Sequence, residues 1–269
     1  MAKFSCNFIS YTLRRTVDVM VIIPSATIPE SSPMIQKDGF VPKHTKADKF
    51  PVLYLLHGGG NNHAQWTGYT NIELYAEEHQ IAVVMPASEN KCFVDVNGDR
   101  FYEFIAEELP DFVKGMFPIS DKPEDTYIAG LSMGGYGTLV HALSHPERFA
   151  ALGAFSAAIN LNPMGMAKAP GDPESEKASE ERFDTIKLLH KDAESGVKMP
   201  KFYIACGKQD FLYEKDQAFA EEAKALGCDV TTDYVDGYGH EWRFWDMQVE
   251  KFLNWIPRTD AYAGGKRKV

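Results

Sequence analysis

Apolar residues in this chain fall into short runs, separated by stretches with the spacing of amphipathic helices. Two runs at the start, Phe4 to Ser10 and Thr16 to Ile23, are rich in β-branched and aromatic residues and predict an antiparallel hairpin at one sheet edge. Six more follow: Val52 to Leu56, Ile81 to Met85, Thr126 to Ala129, Leu152 to Phe155, Phe202 to Cys206 and Val230 to Val235. Most lack polar alternation, which is the pattern of strands buried on both faces. Helical spacing recurs over Ile72 to Glu78, Phe101 to Phe117, Gly134 to Leu143, Asp216 to Leu226 and Trp242 to Trp255. Strands alternating with helices predict an α/β fold, a mostly parallel central sheet with helices on both faces.

Two stretches break the rhythm. Pro24 to Lys49 is a polar, proline-rich connection. Asn160 to Pro200 carries small and charged residues, including Pro170, Gly171, Asp172 and Pro173, before Phe183, Ile186, Leu188 and Leu189. A long excursion of this kind at the top of an α/β sheet is expected either to be an ordinary solvated surface segment or to form a small lid. Length then bears on organisation. At 269 residues the chain reads as a single domain, 1–269, with 160–200 as the lid insertion.

Charge narrows the partners. The formal net charge of −10 argues against nucleic acid, where binding rests on Lys and Arg neutralising phosphates, and against anionic membranes. No stretch approaches the roughly 18 consecutive apolar residues of a membrane span. Arg14, Arg15 and Asp18 interrupt the apolar N-terminal region, so it does not read as a signal peptide. The four cysteines, Cys6, Cys92, Cys206 and Cys228, form no CxxC pair, and with the missing signal they point to reduced thiols in the cytoplasm. Cys206, within an apolar run, is expected to be buried. Lys266-Arg267-Lys268 is expected to be a frayed, solvated tail.

The chemistry centres on Gly130-Leu131-Ser132-Met133-Gly134, a G-x-S-x-G pentapeptide with a strand before it and a helix after it. A serine at such a turn occupies strained backbone, and the flanking glycines allow the close packing it requires. A hydroxyl needs a base. The chain supplies Asp210 in Gly207-Lys208-Gln209-Asp210 and His240 in Gly237-Tyr238-Gly239-His240, each just beyond a predicted strand and in the order acid then base. His240 would take the Ser132 proton while Asp210 orients the imidazole. Asp236, in the His240 loop, is the nearest rival for the acid, while Asp216, Asp229 and Asp233 are weaker ones. His57-Gly58-Gly59-Gly60 follows the strand that carries the second oxyanion donor in this arrangement, so the backbone N–H groups of Gly59 and Met133 are the candidate oxyanion hole.

Other motifs are set aside on their chemistry. The glycine loop lacks the G-K-[ST] ending of a phosphate loop. His141 and His145 lack the glutamate of H-E-x-x-H and read as helix-end residues. Asp95 to Asp99 starts like a calcium loop but has Arg100 where glycine belongs, so Asn97-Gly98 is a turn. No metal and no cofactor is called for. Among nearby aromatics, Trp66, Phe211 and Tyr238 are expected to wall the substrate pocket.

Val52 to Gly58, Thr70-Asn71-Ile72-Glu73, Glu107-Glu108-Leu109-Pro110 and Ala129 to Gly137 together resemble the esterase D family of α/β-hydrolases, in its tributyrin-esterase and feruloyl-esterase branch. The resemblance runs from about Phe4 to Trp255 and implies the α/β-hydrolase fold, with nucleophile, acid and base on Ser132, Asp210 and His240 and oxyanion donors on Gly59 and Met133. It implies a carboxylesterase acting on small-molecule esters, short-chain acyl or hydroxycinnamoyl, including a feruloylated or acetylated saccharide. An acyltransferase or an S-formylglutathione-type thioesterase would use the same residues. Gly59 stands where mycolyltransferases and formylglutathione hydrolases have a bulkier residue, which turns the expectation away from those two. A non-catalytic binding module is the reading of a different class, and assembly as a homo-oligomer is left open.

Overall fold

The computed structural model describes residues 1–32, 34, 44, 48–167 and 173–269. Its strands are β1 (Ala2–Ser10), β2 (Arg15–Ile23), β3 (Val52–Leu56), β4 (Ala82–Pro86), β5 (Asp95–Val96), β6 (Asp99–Arg100), β7 (Thr126–Leu131), β8 (Ala151–Phe155), β9 (Lys201–Gly207) and β10 (Val230–Val235). Eight of them form one sheet in the order β1-β2-β4-β3-β7-β8-β9-β10. β1 pairs antiparallel with β2, and β2 antiparallel with β4, and every later pairing is parallel. The hairpin is therefore at the predicted edge, five of the six further apolar runs are the central strands, and Val230 to Val235 is the half-buried strand at the opposite edge. This is the α/β-hydrolase fold. β5 and β6 make a separate two-stranded hairpin around Asn97-Gly98.

The central strands are buried along their whole length because helices cover both faces. On one face Met133–Ser144 packs with Phe93, Phe104, Leu109 and Phe219, and on the other Ile72–His79 and Trp242–Trp255 pack with Leu53, Val83, Tyr127 and Phe155. The predicted helix Phe101 to Phe117 is present but interrupted: Phe104–Glu108 forms a π-helical turn between α-helical segments. That turn carries Glu108, whose buried carboxylate accepts hydrogen bonds from the Ser10 hydroxyl at 2.7 Å and the N–H groups of Tyr11 and Thr12 at 2.9 and 3.0 Å. The β1–β2 turn is thereby tied to the body of the fold.

The segment after β8 contains helices Pro163–Ala167, Pro173–Arg182 and Thr185–Ser195. Its base is closed by Asn160 Oδ1, which accepts from Thr185 N–H at 3.2 Å and Thr185 Oγ1–H at 3.0 Å. The Tyr136 hydroxyl donates to the Phe183 carbonyl at 3.1 Å and holds the segment against the helix that follows Ser132. Half of the Pro24 to Lys49 connection, and residues 168–172, lie outside the described residues.

Two expectations change. The basic tail is not frayed, because Arg267 is pinned by the Glu77 carboxylate, the Ser25 carbonyl and Glu30, with only 12% of its side chain exposed. Three adjacent basic residues look solvated in sequence, and only the distant acids Glu30 and Glu77 reveal otherwise. Trp66 is not a pocket wall. It is fully buried in the core, its Nε1–H donating to the Leu56 carbonyl at 3.1 Å, so it offers no surface to a ligand. Among the described residues no helix is long and apolar enough to cross a membrane.

Candidate active site

The strand-to-helix turn after β7 sets the site. Ser132 sits at φ 53° and ψ −115°, left-handed backbone that a serine adopts only when its surroundings impose it. Those surroundings are visible. A Cβ on Gly130 would lie 2.4 Å from the Gly134 carbonyl oxygen, and one on Gly134 would lie 2.4 Å from the Leu56 carbonyl oxygen, so neither position admits another residue without moving backbone. Ser132 N–H donates to the Phe155 carbonyl at 2.9 Å, and its carbonyl accepts from Ala158 N–H at 3.1 Å. The nucleophile candidate is thus gripped from both sides by the turn that ends β8.

His240 and Asp210 converge on it. His240 Nε2 lies 3.0 Å from Ser132 Oγ, and Nδ1 lies 2.8 Å from Asp210 Oδ2. The imidazole is boxed by Trp245, edge-on at 4.9 Å, and by Phe211 at 4.8 Å. Asp210 is buried, which pushes its pKa up. Hydrogen bonds from His240, Leu212 N–H and the Ser156 hydroxyl outweigh the burial, and its net shift is downward. It is therefore a carboxylate facing the imidazole Nδ1–H. Asp236 is not brought to the imidazole: its side chain is 76% exposed and bonded to Gln209 and Lys208.

The glycine loop after β3 is held by His57. Its Nδ1–H donates to the Gly58 carbonyl at 2.8 Å, and its Nε2 accepts from Ser88 N–H at 3.0 Å, which joins the loop after β3 to the loop after β4. Burial lowers the His57 pKa to about 4, so both bonds are made by the neutral ring. Because the folded pKa lies below the unfolded one, the unfolded chain binds the extra proton, and the stability His57 contributes above about pH 6.5 is lost as pH falls toward 4. Going from pH 7 to pH 5 is expected to cost the wild type about 2 kcal/mol more than it costs His57→Gln. Urea unfolding of both proteins at the two pH values checks this, and equal losses would refute it.

Gly59 has no hydrogen bond on its N–H among the described residues, and Met133, the first residue of its helix, has no intrahelical acceptor for its own. A Cβ on Gly59 would lie 2.3 Å from Met166 Cε, so the helix Pro163–Ala167 roofs this loop. Of the expected pocket aromatics, Phe211 is 77% exposed beside His240, and Tyr238 packs against Phe244 at 5.8 Å, with its backbone against Gly207. His141 is a buried core histidine bonded to the Phe93 carbonyl, and His145 is bonded to the Tyr102 hydroxyl. Among the described residues no group of three or more His, Cys, Asp or Glu could hold a metal.

Comparison with known proteins adds the family. The sequence model of the Esterase family matches residues 38–256. The chain belongs to the Esterase family. An acetyl esterase from Caldicellulosiruptor saccharolyticus is 29% identical, over 96% of this chain and 99% of that protein. Among solved structures, FphF, a fluorophosphonate-binding serine hydrolase of Staphylococcus aureus, superposes with a TM-score of 0.78 at 29% identity, covering 94% of this chain and 97% of that one. An S-formylglutathione hydrolase of the same organism gives 0.77 at 29% identity, over 94% and 98%. The esterase expected from the sequence motifs is an esterase by family, and the protein is a carboxylic ester hydrolase.

Sequence reasoning passed over Ser156 and Met166 and treated Asp216 only as a rival acid. The signal for Asp216 was present: Asp216, Phe219, Ala220 and Ala223 form the buried stripe of their helix, which puts a carboxyl group on an apolar face.

Proposed function

We propose that Ser132, His240 and Asp210 form the catalytic triad of a serine carboxylesterase, with Gly59 and Met133 N–H as the oxyanion hole. The observation that carries the reading is the unbroken chain of contacts from Ser132 Oγ through both ring nitrogens of His240 to Asp210. Ser132 Oγ attacks the ester carbonyl carbon as His240 Nε2 takes its proton, and the Asp210 carboxylate stabilises the imidazolium. The carbonyl oxygen becomes an oxyanion between the two N–H donors, each worth about 3 kcal/mol in such sites. Collapse expels the alcohol, which leaves with the proton from His240. Water then attacks the acyl-enzyme by the same route and returns Ser132 with the free acid.

The 160–200 segment acts in this reading as a lid, and Met166 above Gly59 supports short acyl groups. The alcohol side is aromatic: Tyr69, 60% exposed, stacks on Trp242, which meets Trp245 beside His240. That row supports an acetylated saccharide as substrate, its ring face laid on Tyr69. The unpaired thiols of Cys6, Cys92, Cys206 and Cys228 support a reducing, cytoplasmic compartment.

The test compares kcat/KM for p-nitrophenyl acetate, p-nitrophenyl butyrate and methyl ferulate, and locates the adduct of a fluorophosphonate by peptide mass. A preference for acetate and a label on Ser132 are expected. A label elsewhere would sink the triad, and a preference for ferulate would move the substrate to hydroxycinnamoyl esters. The 29% identical S-formylglutathione hydrolase favours a second reading, a thioesterase, which predicts faster turnover of S-formylglutathione than of any oxygen ester.

A further inference from the structure

Behind the proposed triad lies a second carboxyl group that the mechanism does not use. Asp216 is completely buried in the first turn of the helix Tyr213–Ala225 that follows Asp210, and its Oδ2 accepts from Ala157 N–H at 2.9 Å. Ala157 is the centre of the turn that ends β8. On one side of it Ser156 stands at φ 45°, another serine in left-handed backbone. Its hydroxyl oxygen accepts from Trp245 Nε1–H at 3.2 Å, and the hydroxyl helps to hold the Asp210 pKa down. On the other side Ala158 N–H holds the Ser132 carbonyl, and Phe155 before it holds the Ser132 N–H.

We infer that Asp216 is a positioning residue, which through Ala157 N–H fixes the turn that grips Ser132 and carries Ser156, the acceptor of Trp245 Nε1–H. The inference rests on the serine-esterase reading above. Burial favours the neutral acid of Asp216. Among the described residues the neighbours of Asp216 are the Cys206 thiol from β9, the Ala157 N–H, the Asp210 carboxylate and, at its backbone carbonyl, the Tyr234 hydroxyl from β10, with no cation. Its Oδ1 has no hydrogen-bond partner among the described residues. Ionising it would bury an uncompensated charge beside the negative Asp210, and burial accordingly pushes its pKa well up. A neutral acceptor is what the turn requires, so a carboxamide should serve as well.

Asp216→Asn and Asp216→Ala separate this from a plain packing role. With p-nitrophenyl acetate, Asp216→Asn is expected to hold kcat within about threefold of wild type, while Asp216→Ala lowers it by roughly 100-fold as the nucleophile shifts, with KM changed far less. Unfolding curves establish that the variants are folded. A loss in Asp216→Asn as deep as in Asp216→Ala would overturn the inference, and so would wild-type kcat in a folded Asp216→Ala. Should Asp216→Ala fail to fold, Asp216→Leu decides, since it fills similar volume but offers Ala157 N–H no acceptor: wild-type kcat in a folded Asp216→Leu overturns the inference, and a loss of kcat on the scale given for Asp216→Ala upholds it. Turnover that survives in Ser132→Ala would instead sink the underlying triad, whatever the Asp216 variants do.

Discussion

Ser132→Ala is expected to lower kcat by roughly 10⁶-fold, the scale seen when a serine-hydrolase nucleophile is removed. In the proposed mechanism the Ser132 hydroxyl makes the attack, and among the described residues its side chain bonds only to His240. Stability should hardly change, because the backbone bonds from Phe155 and Ala158 are independent of the side chain. The expected result is therefore an inactive protein with a wild-type unfolding curve, still able to bind ester through the oxyanion donors. Steady-state assay of protein expressed without any contaminating esterase checks it. Residual kcat above about one thousandth of wild type would mean that some other group performs the attack.

Asp210→Asn tests the other end of the relay and should cost about 10⁴-fold in kcat. The amide keeps the shape, and its oxygen still accepts from Leu212 N–H, as Asp210 Oδ1 does at 2.9 Å. What changes is the partner of His240 Nδ1. An amide NH₂ facing that nitrogen favours the tautomer with its proton on Nε2, and then nothing can receive the Ser132 proton. The imidazolium also loses its counter-charge. KM should move little, since Asp210 is buried behind the histidine and does not reach the substrate. A loss below tenfold would show that the exposed Asp236, or no acid at all, supports His240.

The chemistry was more legible than its surroundings, for physical reasons. Uniformly apolar runs marked β3, β4, β7 and β8 because parallel strands are covered on both faces, and G-x-S-x-G marked the turn because only glycine fits against the carbonyls of Leu56 and Gly134. Asp210 was preferred to Asp236 because it closes a strand, and the structure brings it to His240. Trp66 was misread because nearness in sequence to the glycine loop says nothing of which way a ring turns, and this one turns into the core. Arg267 was misread because its partners are far away along the chain. The π turn at Phe104–Glu108 left no trace in the periodicity, since one turn of altered pitch is lost in a stripe of apolar residues.

Ser132 and Ser156 directly follow Leu131 and Phe155, which are paired in register on β7 and β8, so two non-glycine residues with positive φ stand side by side. At about 1–3 kcal/mol each, they store an amount comparable to a sizeable share of the net stability of an ordinary domain. The site is thus held against the grain of the fold that carries it. Selection of variants for heat tolerance alone should drift toward glycine at position 156, where relaxed backbone gains stability and the hydroxyl that accepts from Trp245 Nε1–H beside His240 is lost. Thermal hardening and catalytic competence would then pull this enzyme in opposite directions at a single codon.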